Sequence, residues 1–241
     1  MRRQLIAASM LATLGLSACS EGSAQDAGPQ TSRNYQVGSF TGIEVSGPFD
    51  VTVTTGRPVA VAAQGSQRVM EALEVKVENG KLVIRPLKKG WFNGMSWSSR
   101  DKVAFTVSVP SLAEAGIAGS GNMRIDQVSG DSFKGGIAGS GDLRVGRLAV
   151  RDLDLGIAGS GEVSVAGQAQ RAKYGIAGSG DLDASGLRAV DAEAEIAGSG
   201  NIRAQVTGNA KATIAGSGDI AITGGARCTS SKNGSGNIRC S

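Results

Sequence analysis

The chain has 241 residues, enough for one large or two small domains, and its 25 basic and 21 acidic residues leave a net charge of +4. That charge is too small to indicate binding to nucleic acid. The absence of histidine excludes Ser-His or Cys-His catalytic pairs and metals ligated by histidine. Glycine contributes 37 residues and aromatic residues only 4%, so we do not expect a conventional core of large side chains in most of the chain.

Residues 1–19 have the pattern of a secretory leader, in which a basic start precedes an apolar run that is too short to span a bilayer. The run ends in Leu-Ser-Ala-Cys19, which resembles the lipobox of bacterial lipoproteins. The resemblance implies cleavage before Cys19, acylation of its thiol and stable anchoring through several acyl chains. Ser20 after the cysteine favours the outer membrane, facing either the periplasm or the surface. The alternative is a plain signal peptide with a chance cysteine.

Residues 20–34 are polar and nearly devoid of large apolar residues, which predicts a flexible tether. Two further cysteines, Cys228 and Cys240, stand near the end of the chain. Because an exported protein lies in an oxidising compartment, a disulfide between them is plausible. The alternative is a pair of free buried thiols, and the chain has no CxxC motif for redox or zinc chemistry.

A glycine-rich motif recurs at spacings of 18 to 20 residues throughout residues 111–241. Its copies read GIAGSGNMRI, GIAGSGDLRV, GIAGSGEVSV, GIAGSGDLDA, EIAGSGNIRA and TIAGSGDIAI, and a degenerate KNGSGNIRC closes the chain. Self-similarity at this period is typical of stacked repeat proteins. Apolar residues alternate with polar ones on both sides of each GSG, as in β-strands. The pattern therefore predicts an all-β parallel solenoid of about seven coils.

Aligning the copies by their GSG produces columns of equivalent residues that suit the inside of a narrow solenoid. They are Ile117, Ile137, Ile157, Ile176, Ile196 and Ile214; Met123, Leu143, Val163, Leu182, Ile202, Ile220 and Ile238; and Ile125, Val145, Val165, Ala184, Ala204, Ile222 and Cys240. Five residues before each GSG, an outward column alternates in sign through Glu114, Lys134, Asp154, Lys173, Glu193 and Lys211. In-register stacking would place each charge beside an opposite one.

Residues 35–110 form a second type of segment, with seven of the nine aromatic residues. Alternating runs are separated by Gly47-Pro48, Gly56-Arg57-Pro58 and Asn79-Gly80, which predicts β-strands joined by hairpins. Asn79-Gly80 is the strongest hairpin signal. We expect the segment to pack on the first coil and cap it, either as a separate domain or as the opening part of one β structure.

The order FTGIEVSGPFDVTVTTG, LEVKVENGKLVIRP and VAFTVSVPSLAEAGIAGSGNM resembles the DUF2807 family, also called the putative auto-transporter adhesin, head GIN domain family. The resemblance covers residues 38–240. It implies an all-β fold with a right-handed β-helix in an exported bacterial protein, and it supplies no catalytic residues.

The stretch KKGWFNGMSWSSRD over residues 88–101 is the first choice for a binding site. It concentrates Trp91, Phe92 and Trp97 in a polar, glycine-bearing loop, beside Lys88 and Lys89, which favour an anionic surface. Exposed aromatic residues often contact sugars, proteins or membrane interfaces. The alternative is a long hairpin whose tryptophans fold back to cover the end of the solenoid.

Enzymatic chemistry has weaker support. The residue after each GSG is polar, and Asp142 with Arg144 or Asp181 with Asp183 could act on a polysaccharide. The column could also hold calcium, but the glycine-rich nonapeptide of calcium-binding β-rolls is absent. The simpler interpretation is a turn-capping column that keeps the rod soluble.

We therefore expect a lipid-anchored, non-enzymatic envelope protein that presents a binding or adhesive surface to a glycan or an envelope protein, without a cofactor or metal. The alternatives are a structural envelope protein that assembles through solenoid faces or ends, and a polysaccharide-acting enzyme.

Overall fold

The computed structural model describes residues 29–87 and 102–241, in which one sheet of 17 strands is accompanied by a single short helix. In chain order the elements are β1 (Gln30–Tyr35), β2 (Gly42–Ser46), β3 (Asp50–Thr55), β4 (Ala60–Ser66), α1 (Gln67–Glu71), β5 (Leu73–Glu78), β6 (Lys81–Pro86), β7 (Val103–Val109), β8 (Glu114–Gly119), β9 (Asn122–Gly139), β10 (Asp142–Gly159), β11 (Glu162–Gly178), β12 (Asp181–Gly198), β13 (Asn201–Val206), β14 (Asn209–Gly216), β15 (Asp219–Thr223), β16 (Arg227–Gly234) and β17 (Asn237–Cys240).

The repeats form a parallel, in-register stack from β8 to β17, and the all-β solenoid is confirmed. Ile137 pairs with Ile157, and Ile157 with Ile176, and each of these side chains is buried. The solenoid has about six turns rather than the predicted seven.

Each turn has three sides, seen clearly in the long strand β10. After the GSG corner, a first side covers residues 142–145, a second side covers residues 148–150, and a third side covers residues 152–158. Buried and exposed residues alternate along each side, and the pairing with β11 shifts register at the first bend, between Val145 and Leu148. The core therefore fills the inside of a three-sided prism.

The GSG corners are tight enough to require both of their glycines. Gly139 has a φ of 141°, which L side chains rarely adopt, and a Cβ there would collide with the carbonyl oxygen of Gly119 in the preceding turn. A Cβ at Gly141 would collide with the carbonyl oxygen of Gly121. Stacked corners thus approach each other backbone to backbone, which explains why the GSG repeats so regularly.

The segment before the repeats contributes turns to the same solenoid. Strands β2 and β3 pair in parallel with β8 and β9, so that Val45 lies beside Ile117 and Asp50 beside Asn122. On their other edge, β2 and β3 pair in parallel with β6 and β7. The stacking order therefore differs from the chain order, because β2 and β3 lie between strands that come later in the chain.

This arrangement corrects two of the predicted hairpins. Gly47-Pro48 is a corner of the solenoid, and Gly56-Arg57-Pro58 joins β3 to β4, which are separated by β7 in the sheet. Strands β2 and β3 each pair in parallel with strands of neighbouring turns rather than with each other, and β4 pairs antiparallel with β7 rather than with β3. Only Asn79-Gly80 makes the predicted hairpin, between β5 and β6, with φ values of 51° and 75°.

Antiparallel strands cover the end of the stack that is formed by β6 and β7. Strand β5 pairs with β6, β4 pairs with β7, and β1 pairs with β4. Strand β1 takes up residues 30–34, which corrects the predicted end of the tether. The pairing with β4 and the ring of Tyr35, 6.3 Å from that of Phe105, hold this polar stretch in the sheet.

The opposite end is formed by β16 and β17. Cys228 in β16 and Cys240 in β17 are joined by a disulfide, with 6.5 Å between their Cα atoms. Lys232 stands in the column of buried isoleucines but is exposed. The disulfide thus joins the first and last strands of an incomplete, polar terminal turn.

Candidate functional site

The predicted binding residues belong to an insertion between β6 and β7. Lys88, Lys89, Trp91, Phe92 and Trp97 lie outside the described residues, as does Cys19. The structure does describe both ends of the insertion. Residues 81–84 of β6 pair with β2 and residues 104–109 of β7 pair with β3, so the insertion joins two strands that are equivalent to the strands before and after a GSG in the repeats.

The described aromatic residues all belong to the core. Phe40, Phe49, Phe105, Phe133 and Tyr174 are buried. Tyr35 is half-buried and packs against the same core. The three aromatic residues of the insertion are therefore those that take no part in the described core.

Polar residues after the GSG corners form a ladder on the first side. Asn122 donates a hydrogen bond from Nδ2 to Asp50 Oδ1 at 2.8 Å, and Asn201 donates one to Asp181 Oδ1 at 2.7 Å. These bonds join consecutive turns, so the column stabilises the stack. This use agrees with the structural interpretation of the column rather than with catalysis.

The two pairs that could act on a polysaccharide, Asp142 with Arg144 and Asp181 with Asp183, lie outward on the same side. Asp183 accepts hydrogen bonds from the Ser185 hydroxyl at 2.6 Å and from the Ser185 N–H at 3.0 Å, and these bonds lower the pKa of Asp183. A lowered pKa suits a structural carboxylate and opposes a role as general acid near neutral pH. Asp142 and Arg144 are exposed or half-buried on this face.

The third side carries the predicted column of alternating charge. The register places Lys134 beside Glu114 and Asp154, and Lys173 beside Asp154 and Glu193. The predicted stacking of opposite charges is therefore confirmed.

The contacts within this column are ion pairs between exposed groups. Lys211 Nζ lies 2.7 Å from Glu193 Oε1, and Lys173 Nζ lies 3.9 Å from Glu193 Oε2. The hydrogen bond from Lys211 lowers the pKa of Glu193, and Glu193 in turn raises the pKa of Lys211. Each of these exposed pairs adds little to the stability of the fold.

A second alternating column lies two residues before the first, and sequence reasoning missed it. Arg171 donates from Nε and Nη2 to the two carboxylate oxygens of Asp152 at 2.6 and 2.9 Å, which lowers the pKa of Asp152. Arg171 also stands beside Asp191 in the register. The sequence does show charges of alternating sign two residues before those of the first column. The uncharged Asn209 interrupts this alternation.

The first column extends beyond the repeats across Gly42. Lys81 reaches over this glycine to Glu114, with 2.5 Å between Nζ and Oε1, and a Cβ at Gly42 would lie 2.9 Å from Lys81 Cγ. The contact raises the pKa of Lys81. This ion pair ties β6 to β8 across the intervening strand β2.

Metal binding and helical membrane insertion gain no support from the described part of the chain. Residues 29–87 and 102–241 contain no group of three or more histidine, cysteine, aspartate or glutamate side chains that could hold a metal ion. Within the same ranges, no helix has the length and hydrophobicity needed to cross a bilayer.

Solved structures share this fold over nearly the whole chain. A putative adhesin from Bacteroides fragilis has a TM-score of 0.79 at 24% identity and covers 88% of this chain and 97% of its own. A putative lipid binding protein from Parabacteroides distasonis has a TM-score of 0.70 at 27% identity, covering 89% and 97%. A putative adhesin from the same organism has a TM-score of 0.66 at 21% identity, covering 89% and 98%.

A search of curated proteins found no match. At the level of families, residues 39–226 match DUF2807, described as "Putative auto-transporter adhesin, head GIN domain". The match spans β2 to β15 and includes the turns built by β2, β3, β6 and β7 as well as the GSG repeats. The chain therefore belongs to the DUF2807 family.

Proposed function

We propose that the chain is a lipid-anchored, non-enzymatic protein of the cell envelope that adheres through the insertion between β6 and β7. The family description and the names of two similar structures support an adhesive role in the envelope or outside the cell. The lipobox around Cys19 supports anchoring.

One observation supports the insertion between β6 and β7 as the binding site. Along the edge where the GSG corners stack, the corner between β6 and β7 has a long insertion, whereas the described corners from β8 to β17 are all GSG. Trp91, Phe92 and Trp97 are concentrated in that insertion, and the other aromatic residues are used by the core. Aromatic residues dominate the energy of binding surfaces, so this corner is the favoured contact point.

The described strands that follow the tether and border the insertion lie at the same end of the solenoid. Strand β1 follows the tether and pairs with β4, and β4 pairs with β7, which borders the insertion. Nine tether residues, 20–28, extend at most about 30 Å. Anchoring at Cys19 would therefore hold Pro29, where the described structure begins at this end, within about 30 Å of the membrane.

Anchoring is tested by growing cells that express the chain with a palmitate analogue that can be labelled. We expect the wild-type protein to take up the label and to pellet with membranes, and Cys19→Ser to lose both properties. Equal labelling of the two proteins, or a mature protein that begins at another residue, would show that the lipobox is not used.

Adhesion is tested with a panel of immobilised bacterial and host glycans. We expect the double variant Trp91→Ala/Trp97→Ala to reduce binding by at least about tenfold, since buried aromatic contacts are common hot spots. Val190→Ala is the matched control, because Val190 is an exposed apolar residue on another side of the solenoid. Unchanged binding by the double variant would reject the insertion as the site.

A second ligand class is membrane lipid, favoured because the strands that follow the tether and border the insertion share one end. Tryptophan, phenylalanine and lysine suit the interface of an anionic bilayer, and one similar structure is named a lipid binding protein. Vesicles of phosphatidylglycerol and phosphatidylethanolamine provide the test. The ligand is lipid if the Cys19→Ser protein binds these vesicles but no glycan. Replacement of Trp91 and Trp97 in that protein should then abolish binding to the vesicles.

A further inference from the structure

The outward residues of the third side form bands of charge that run across the solenoid axis. Asp152 and Asp154 make one rung negative, and Arg171 and Lys173 make the next rung positive. The complete sequence of signs over six rungs is negative at Glu114, positive at Lys134, negative at Asp152 and Asp154, positive at Arg171 and Lys173, negative at Asp191, Glu193 and Glu195, and positive at Lys211.

When an even number of bands alternates in sign, reversing their order places every negative band opposite a positive one. If a second copy lies face to face on the third side with its axis reversed, the central negative rung at Asp154 meets the positive rung at Lys173 of that copy. The same two-fold rotation places Lys134 against Glu193 and Glu114 against Lys211. A copy that faced the same direction, rung upon rung, would instead bring like charges together.

Two of these charges have no ionic partner within the part of the chain that the structure describes. Lys134 and Asp154 are neighbours in the register, yet neither forms an ion pair within 4.0 Å with another described residue. In the reversed arrangement each of them meets an opposite charge. Charge that is unused within one copy is thus available to the second copy.

Beside the charged half of the third side, the outward residues are small. Gly116, Gly136, Gly156 and Gly175 form one column next to a column of alanines. Their backbone does not require glycine, because none has a positive φ in the left-handed region and the nearest atom to an added Cβ lies 3.9 Å away or farther. In other rungs Glu195 and Thr213 occupy the same column.

The size of the surface is sufficient for a stable pair. The third side spans about seven residues, or about 23 Å, and six rungs span about 29 Å, so each copy would contribute about 670 Å². The total of about 1,300 Å² exceeds the roughly 1,000 Å² expected of a specific interface. In-register stacking also keeps successive rungs aligned, and two such faces can pack over their full extent.

From the charge bands, the small-residue columns and the area, we infer that two copies of this chain associate face to face through the third side, with antiparallel solenoid axes. The inference does not depend on the proposed adhesive role. It would orient the insertions of the two copies toward opposite ends of the pair.

The interface is tested by sedimentation velocity of the full chain carrying Cys19→Ser in a non-ionic detergent. Gly156→Arg places a bulky side chain at the centre of the face, where nothing lies within 4 Å of the Cβ. We expect wild type to sediment as a dimer, and Gly156→Arg to weaken dimerisation by at least about tenfold with an unchanged melting temperature. Ser164→Arg, on the first side, is the matched control and should remain dimeric.

The direction of packing is tested with thiol crosslinking by a short bismaleimide in the same background, where only introduced thiols are free. We expect a mixture of Glu114→Cys and Lys211→Cys proteins to crosslink, and each protein alone to remain monomeric on a denaturing gel. A monomer up to 100-micromolar-scale concentrations, a dimer that Gly156→Arg leaves intact, or crosslinking of each variant to itself would overturn the inference.

Discussion

Glycine serves two different purposes in this chain, and the distinction is visible one residue at a time. Gly139 combines a φ of 141° with a backbone oxygen where its Cβ would be. Gly156 has neither constraint. The first kind of glycine is needed to form the solenoid, whereas the second kind shapes its outer surface.

This difference predicts opposite outcomes for the same substitution. We expect Gly139→Ala to reduce the free energy of unfolding by at least about 2 kcal/mol, because it adds backbone strain and a clash with Gly119. Gly156→Ala should leave it within about 0.5 kcal/mol or raise it by up to about 1 kcal/mol. Urea unfolding at low protein concentration measures both. Equal losses for the two variants would contradict the assignment.

Tyr174 is the largest fully buried side chain, and its hydroxyl has no hydrogen-bond partner among the described residues. The register places it between Leu155 and Ala194 in an inward column. Burial raises the pKa of Tyr174, since the phenolate would have to lie in the apolar core. The ring therefore fills space in the core, and burial of its unpaired hydroxyl destabilises the fold.

We expect Tyr174→Phe to leave the free energy of unfolding unchanged or to raise it by up to about 1 kcal/mol, because it removes an unsatisfied polar group. Tyr174→Ala should lose about 3–5 kcal/mol through the cavity it creates. Thermal and urea unfolding of both variants provide the measurement. A loss of more than about 1 kcal/mol for the phenylalanine variant would indicate that the Tyr174 hydroxyl makes a hydrogen bond in the folded protein.

At the scale of elements, the charged columns tie neighbouring strands together and make stability depend on pH. The pKa of Asp152 is lowered by Arg171 and that of Glu193 by Lys211, from ordinary values of 3.8 and 4.5. A carboxyl whose pKa is lower in the folded state stabilises the fold above its unfolded pKa. That contribution is lost as the pH falls through the folded value.

We therefore expect the melting temperature to fall as the pH is lowered from about 5 towards 3, through the unfolded pKa values of these carboxyls. Glu193→Gln should flatten part of this dependence, and added salt should flatten more of it because the pairs are exposed. Differential scanning calorimetry across this range is the check. A melting temperature that rises below pH 4.5 would show that the carboxylates repel each other more than they pair.

The repeating elements were predictable because one period fixes both the buried columns and the outward charges. The turn formed by β2 and β3 was not, since Ser46-Gly47-Pro48-Phe49 does not read as GSG and only the pairing of Asp50 with Asn122 reveals their equivalence. Strand β1 was missed because its sequence is polar and an edge strand needs little apolar surface. Tertiary pairing, not local pattern, determines the turn formed by β2 and β3 and the strand β1.

For the whole molecule, the candidate site could be predicted only in part. The insertion was identified by its composition, but its position at a GSG corner depends on the stacking order of β6 and β7, which a linear sequence does not display. The charge-banded third side combines residues from six rungs. Its first column could be predicted from the sequence. Its second column and its columns of small residues are recognised only when the strands are stacked into one surface.

Residues 42–55 form a turn of the same solenoid as the repeats, stacked directly on β8 and β9. Thr52 lies beside Arg124 in the register, and Arg124 lies beside Arg144. Oxidation of cysteine pairs introduced into the native protein tests this order most directly. We predict that Thr52→Cys/Arg124→Cys forms a disulfide and that Thr52→Cys/Arg144→Cys, two rungs apart, does not. Bond formation in the second pair alone, or in neither, would contradict the stacking.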